Sequence, residues 1–104
     1  MTSFDERENA FEAKFAHDSE LQFKAEARRN KIVAHWAAGL LGKTDDEISA
    51  YVGEVIRSDM EESGSEDVVR KLAADLTGHA TEDEIRQQLE IAMLEAKRQI
   101  AAAT

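Results

Sequence analysis

The sequence predicts an all-α protein, an up-down antiparallel four-helix bundle with a flexible N-terminal arm. Three observations carry that reading. Proline is absent, against about five at average usage for such a length, so nothing obliges a helix to break. Four segments open with helix-capping chemistry, and the connections between them hold glycines where helix C-termini belong. Within each segment apolar residues recur at i, i+3, i+4 and i+7, and none alternates like a strand.

In chain order, residues 1–18 come first and differ from the rest. Phe4, Phe11 and Phe15 are their large apolar side chains beyond Met1, set among Asp5, Glu6, Arg7, Glu8, Glu12 and Lys14. At ~100° per residue the three rings fall within about 40° of one another. That stripe is too narrow to hold an isolated helix of this length in water. A mobile arm with latent helicity is expected, folding on a partner with the rings as anchors.

Ser19-Glu20-Leu21-Gln22 then reads as a capping box and opens a first helix near 19–41, with Ala25, Ile32, Val33, Trp36 and Leu40 on its apolar face. Trp36 is expected in the core at the centre of that face. Gly42 ends this helix, and the box Thr44-Asp45-Asp46-Glu47 opens a second near 45–62, carrying Ile48, Tyr51, Val52, Val55 and Ile56. After Gly64, Ser65 with Glu66 and Asp67 reads as a simpler N-cap for a third helix near 66–77, with Val68, Val69, Leu72, Ala73 and Leu76. Gly78 and the box Thr81-Glu82-Asp83-Glu84 introduce a fourth near 82–101, with Ile85, Leu89, Ala92, Met93, Ala96 and Ile100. Connections of a few residues force successive helices to pack antiparallel, so residues 19–104 form one bundle.

Composition narrows the function. The 104 residues leave room for a single domain, and 22 acidic against 13 basic side chains give a net charge of −9. Such a balance argues against nucleic acid as a partner, because phosphate contacts need local cation. With no cysteine there is no thiol catalysis and no cysteine-based zinc site, and the chain fits a reducing compartment. No stretch has the ~18 apolar residues of a membrane span, and the acidic N-terminus is neither a signal nor a transit peptide.

Catalytic chemistry is not evident. His17, His35 and His79 share no metal-ligand spacing, and the acidic runs at 45–47 and 82–84 sit in first helical turns, where the helix dipole accounts for them. Neither a metal site nor a catalytic residue is expected, and no cofactor is required. The string from Ala37 to Thr44 fits a relaxed phosphate-loop pattern, but a working loop follows a strand, and here the preceding residues continue a helix. Lys43 and Thr44 at the second helix N-terminus remain candidates for a weaker anion or nucleotide contact. The other candidate is a cationic ridge on the first helix. Lys24, Arg28, Lys31 and His35 step i, i+4, i+7, i+11 opposite the apolar face, suited to a carboxylate-rich partner or a nucleotide phosphate.

Several strings are family-specific. Phe4-Asp5-Glu6-Arg7-Glu8 and the run from Ala10 to Asp18, then Glu20-Leu21-Gln22-Phe23-Lys24, Ala27-Arg28-Arg29-Asn30-Lys31, Trp36-Ala37-Ala38, Leu41-Gly42-Lys43-Thr44 and the run from Glu66 to Lys71, closely resemble the zeta-subunit family of alpha-proteobacterial ATP synthase inhibitors. The resemblance implies a regulatory protein that blocks ATP hydrolysis by the F-type ATP synthase. It implies that the arm, through Phe4, Asp5, Arg7, Glu8, Phe11, Glu12, Lys14 and Phe15, enters a catalytic alpha/beta interface near the gamma stalk while the bundle stays outside. It further implies ADP or ATP as a regulatory ligand of the bundle, for which Lys24, Arg28, Lys31, His35, Lys43 and Thr44 are the candidates. The expected setting is the cytoplasm, peripheral to the inner membrane through the synthase, with the free protein a monomer. The alternative from another class is a stand-alone nucleotide-sensing or protein-interaction bundle.

Overall fold

In a computed structural model, the structure describes residues 18–61 and 64–103, so the arm up to His17 lies outside the described residues. Four helices follow in order: α1 (Ser19–Leu40), α2 (Asp45–Ser58), α3 (Glu66–Asp75) and α4 (Glu82–Ala103). Helix α1 packs against both α2 and α4, and α3 packs against the same two. The helices therefore close a four-membered ring in which α1 and α3 are diagonal, with overall extents of 43 × 26 × 26 Å.

Local chemistry fixes most helix ends. Thr44 and Glu47 form a reciprocal capping box, the backbone N–H of Thr44 donating to Glu47 Oε1 at 2.8 Å. Thr81 and Glu84 do the same at the start of α4, with N–H to carboxylate at 3.1 Å and the return bond at 3.2 Å. At the end of α1, Gly42 takes φ 68°, Lys43 N–H reaches Ala38 C=O at 3.1 Å and Gly42 N–H reaches Gly39 C=O at 3.2 Å. That pair of bonds is a Schellman motif, and it needs the left-handed conformation that glycine adopts without strain.

Two expected caps differ. Asp18, not Ser19, caps α1: its Oδ1 accepts the N–H groups of Glu20 at 3.0 Å and Leu21 at 3.1 Å. A carboxylate one residue earlier is the stronger acceptor and also meets the helix dipole. Ser65 makes no side-chain cap at all, because its ψ of 4° is not the extended geometry a capping hydroxyl requires. Helix α2 stops at Ser58, short of 62, where Asp59 turns its carboxylate toward α1. Helix α3 ends at Asp75 rather than 77, and α4 runs on to Ala103.

The core comprises Val33, Ala34, Ala37 and Ala38 from α1, Tyr51 and Val55 from α2, Val68, Val69, Leu72 and Leu76 from α3 and its end, and Ile85, Leu89 and Ala92 from α4. A smaller cluster joins Ala25 to Ile100, with Leu21 and Met93 against it. The buried side of α1 thus differs from the expected face. Trp36 is only half-buried, packed on the margin of the core, and Leu40 is exposed. Because α1 is sandwiched between two neighbours, its closest contacts fall on small residues, which let the backbones approach.

Candidate functional site

One outer side of α1 carries the main site. Lys24, Arg28, Lys31 and His35 come up on successive turns and, with Phe23, line an open groove of about 830 Å³. Its other walls are Ile56 of α2 and Gln99, Ile100 and Ala103 of α4. Antiparallel packing is what brings the α4 C-terminus beside the α1 N-terminus. The ridge is therefore not an isolated solvated stripe but the cationic edge of a concavity with an apolar floor.

These cations are weakly engaged. Lys24 reaches Glu20 at 3.3 Å on an exposed surface, and Arg28 donates to Gln99 Oε1 at a long 3.4 Å. Surface contacts of that kind contribute ~1 kcal/mol or less. Lys31 and His35 have no hydrogen bond or ion pair among the described residues. Phe23 is 64% exposed at the groove's edge. Cations beside an exposed ring and an apolar floor suit a ligand that joins negative charge to a flat or apolar group.

The other candidates lie elsewhere. Lys43 and Thr44 do not line this groove. Thr44 is fully used by its capping box, and the carboxyl of Glu47 is held below its ordinary range by the backbone and side-chain hydrogen bonds from Thr44. The Lys43 ammonium sits 5.2 Å from the Tyr51 ring centre, as does that of Lys71. The Tyr51 hydroxyl donates to Asp75 at 2.8 Å, and Lys71 pairs with Asp75 at 2.8 Å, which ties α2 to α3. Burial, then the hydrogen bond to Asp75, pushes the Tyr51 phenol upward and keeps it protonated. This cluster is a structural clasp. Phe4, Asp5, Arg7, Glu8, Phe11, Glu12, Lys14 and Phe15 lie outside the described residues.

Sequence reasoning missed a buried polar network. The Arg29 guanidinium donates to Asn30 Oδ1 from Nε at 3.0 Å and from Nη2 at 2.8 Å, and reaches Asp59 Oδ1 at 3.3 Å. Asn30 Nδ2 donates to Asp59 Oδ2 at 2.8 Å. The Arg29 side chain is only 8% exposed. Burial pushes the Asp59 carboxyl upward, opposed by the Asn30 hydrogen bond and the Arg29 charge. A second cavity of about 240 Å³ is lined by Arg29 and Arg86, but both cations are spoken for: Arg86 holds Glu66 at 2.8 Å and Glu82 at 3.1 Å. No cluster of three or more His, Asp or Glu able to hold a metal occurs among the described residues, and no helix there is long and apolar enough to cross a membrane.

A family model described as ATPase inhibitor subunit zeta matches residues 1–99. The chain belongs to the ATPase inhibitor subunit zeta family. Its role is accordingly that of an inhibitor acting on the ATP synthase. The match to the zeta family takes in both the ridge of α1 and the segment before it. A protein whose structure was solved by solution NMR is similar, with 49% identity and a TM-score of 0.74 over 81% of this chain and 99% of that one. No curated protein matches the chain.

Proposed function

We propose that this zeta-family protein blocks ATP hydrolysis by inserting residues 1–18 into a catalytic alpha/beta interface of the synthase near the gamma stalk. The bundle stays outside, and the protein associates with the membrane only through the synthase. The carrying observation is that a family match to an inhibitor begins at residue 1, on a segment whose three phenylalanines fall on one helical face. Neither a core helix nor a passive tail accounts for such a stripe in an acidic sequence.

The α1 groove supports a nucleotide reading for the bundle. ADP or ATP would set its phosphates against Arg28, Lys31 and His35 and its base against Phe23. Lys43 and Thr44 do not line that groove; Thr44 serves the cap of α2, and the Lys43 ammonium lies 5.2 Å from the Tyr51 ring centre.

The test is ATP hydrolysis by the isolated catalytic head. A chain beginning at Asp18, which keeps the α1 cap, is expected to lose inhibition. Phe11→Ala with Phe15→Ala is expected to weaken it strongly, as each buried ring contributes roughly 1.5–3 kcal/mol. Ala10→Pro tests the helical form of the inserted arm, because proline inside a helix costs ~3 kcal/mol. Full inhibition by that variant would sink the mechanism.

A further inference from the structure

Three cations, Lys24, Arg28 and Lys31, line the α1 groove together with His35, and among the described residues no carboxylate does. We propose that this groove takes its nucleotide free of magnesium, and that it thereby selects the diphosphate over the triphosphate wherever magnesium is abundant. This selectivity rests on the nucleotide reading given above and deepens it.

Charge and ligands come first. Two carboxylates approach the lining residues without lining the concavity themselves. Glu20 lies 3.3 Å from the Lys24 ammonium, and Glu95 accepts from Gln99 Nε2 at 3.2 Å. Magnesium demands near-octahedral oxygen coordination, which proteins supply with one or two carboxylates beside the phosphates. The side-chain oxygen that lines this groove is Gln99 Oε1, and it accepts from Arg28 at 3.4 Å. Ammonium and guanidinium groups cannot ligate a metal, and a hard cation takes oxygen rather than the His35 nitrogen. Magnesium on the phosphates would therefore gain no carboxylate from the groove. It would also cancel the charge that attracts the nucleotide and be repelled by the cationic edge.

Spacing comes second. From Phe23 to Arg28 the helix rises about 7.5 Å, and Lys31 and His35 follow at about 4.5 and 6 Å. A base on Phe23 thus sets the first two phosphates beside Arg28 and Lys31, so a diphosphate already meets both. The third phosphate adds His35 alone. It also holds magnesium more firmly, because the metal then bridges β- and γ-oxygens. Magnesium and the groove compete for the same oxygens, and the triphosphate is the nucleotide that magnesium withdraws more completely. A bundle with such a groove reports ADP.

Calorimetric titration of the full chain tests this with ADP and with ATP, each in EDTA and in millimolar magnesium chloride. Ionic strength is matched with potassium chloride, because salt alone screens these contacts. Both nucleotides are expected to bind in EDTA, and Arg28→Ala with Lys31→Ala should weaken that binding at least tenfold. Magnesium should weaken ATP at least tenfold more than it weakens ADP. Gln99→Glu puts a carboxylate into the groove and should shrink the magnesium effect at least threefold, with thermal melting of the same sample reporting its fold. Affinities equal in the two solutions, or tighter with magnesium, overturn this inference and leave the nucleotide in the groove. A magnesium effect no larger for ATP than for ADP, or untouched by Gln99→Glu, overturns it likewise. Affinity in EDTA that survives Arg28→Ala with Lys31→Ala moves the nucleotide out of the groove and takes this inference with it. Binding of neither nucleotide in either solution removes the nucleotide reading itself.

Discussion

Arg28 and Arg29 are neighbours in sequence and opposites in use. Arg29 is turned inward, where two hydrogen bonds to Asn30 satisfy its donors and Asp59 supplies the counter-charge inside the α1–α2 contact. Arg28, one residue and ~100° earlier, lies on the groove, and among the described residues its one hydrogen bond is to Gln99 at 3.4 Å. The difference teaches how a helix contacted on two sides divides its cations. The one that faces a neighbour must be paired to be tolerated; the one that faces outward is left available for a ligand.

Breaking the inward pair gives the largest expected effect. Asp59→Ala leaves the Arg29 guanidinium buried without its counter-charge, a change that costs about 3–5 kcal/mol. Against the ~5–15 kcal/mol of a typical domain, the variant should show a much lower denaturation midpoint. A midpoint within experimental error of the parent would mean that Arg29 reaches solvent, and the contrast with Arg28 would vanish.

Trp36 sharpens the boundary between the two sides, since it sits on the margin of the core rather than within it. Its change to Ala should cost about half of the ~3–5 kcal/mol seen for fully buried aromatic residues. Chemical denaturation measures it. A full-sized loss would move Trp36 into the core that the sequence pattern assigned to it.

What was legible in the sequence was what adjacent residues decide. The boxes at Thr44 and Thr81 and the left-handed turns at Gly42, Gly64 and Gly78 depend on residues within one turn, and they can be read directly. The start of α1 was harder because Asp18 and Ser19 are both competent acceptors one residue apart. The ridge was legible as periodicity, but the groove was not. Ile56 and Gln99 enter it through the register between helices, which no local pattern encodes. The same holds for Asp59, which meets Asn30 only because α2 ends beside the middle of α1. Lys43 and Thr44 were legible as a helix N-terminus, but their separation from the groove was not, because a helix N-terminus supplies the same donors to a ligand or to its own cap.

Acid tests the inward pair by another route. Burial makes Asp59 harder to ionise in the folded chain than its ordinary value of 3.8. The folded state therefore binds more protons just above that pH, so this group's contribution to stability grows as pH falls and is lost as pH rises through the folded value. Glu47 and Glu66 are shifted downward, by the hydrogen bonds from Thr44 and Arg86 respectively, and act in the opposite sense, losing their contribution as pH falls. Comparing the parent with Asp59→Asn cancels those two. On moving from pH 7 to pH 4, unfolding titrations should show the parent gaining stability relative to the variant. A relative loss would mean that the ionised Asp59 is favoured by Arg29 more than it is penalised by burial.

The smallest expected effect on stability belongs to Arg28→Ala, and it decides the outward half of the comparison. The long bond to Gln99 lies on an exposed surface, so removal should change folding free energy by no more than ~0.5 kcal/mol. If the groove takes ADP or ATP, the same change removes a charged hydrogen bond worth about 1.5–3 kcal/mol, which is roughly tenfold or more in affinity. Calorimetric titration with ADP and thermal melting of the same sample separate the two numbers. Arg29→Ala should give the reverse pattern, a large loss of stability with ligand affinity of the folded fraction retained. Affinity unchanged by Arg28→Ala would remove the nucleotide from this groove. Stability lost by Arg28→Ala would show that both arginines hold the bundle together, and that α1 keeps no cation in reserve.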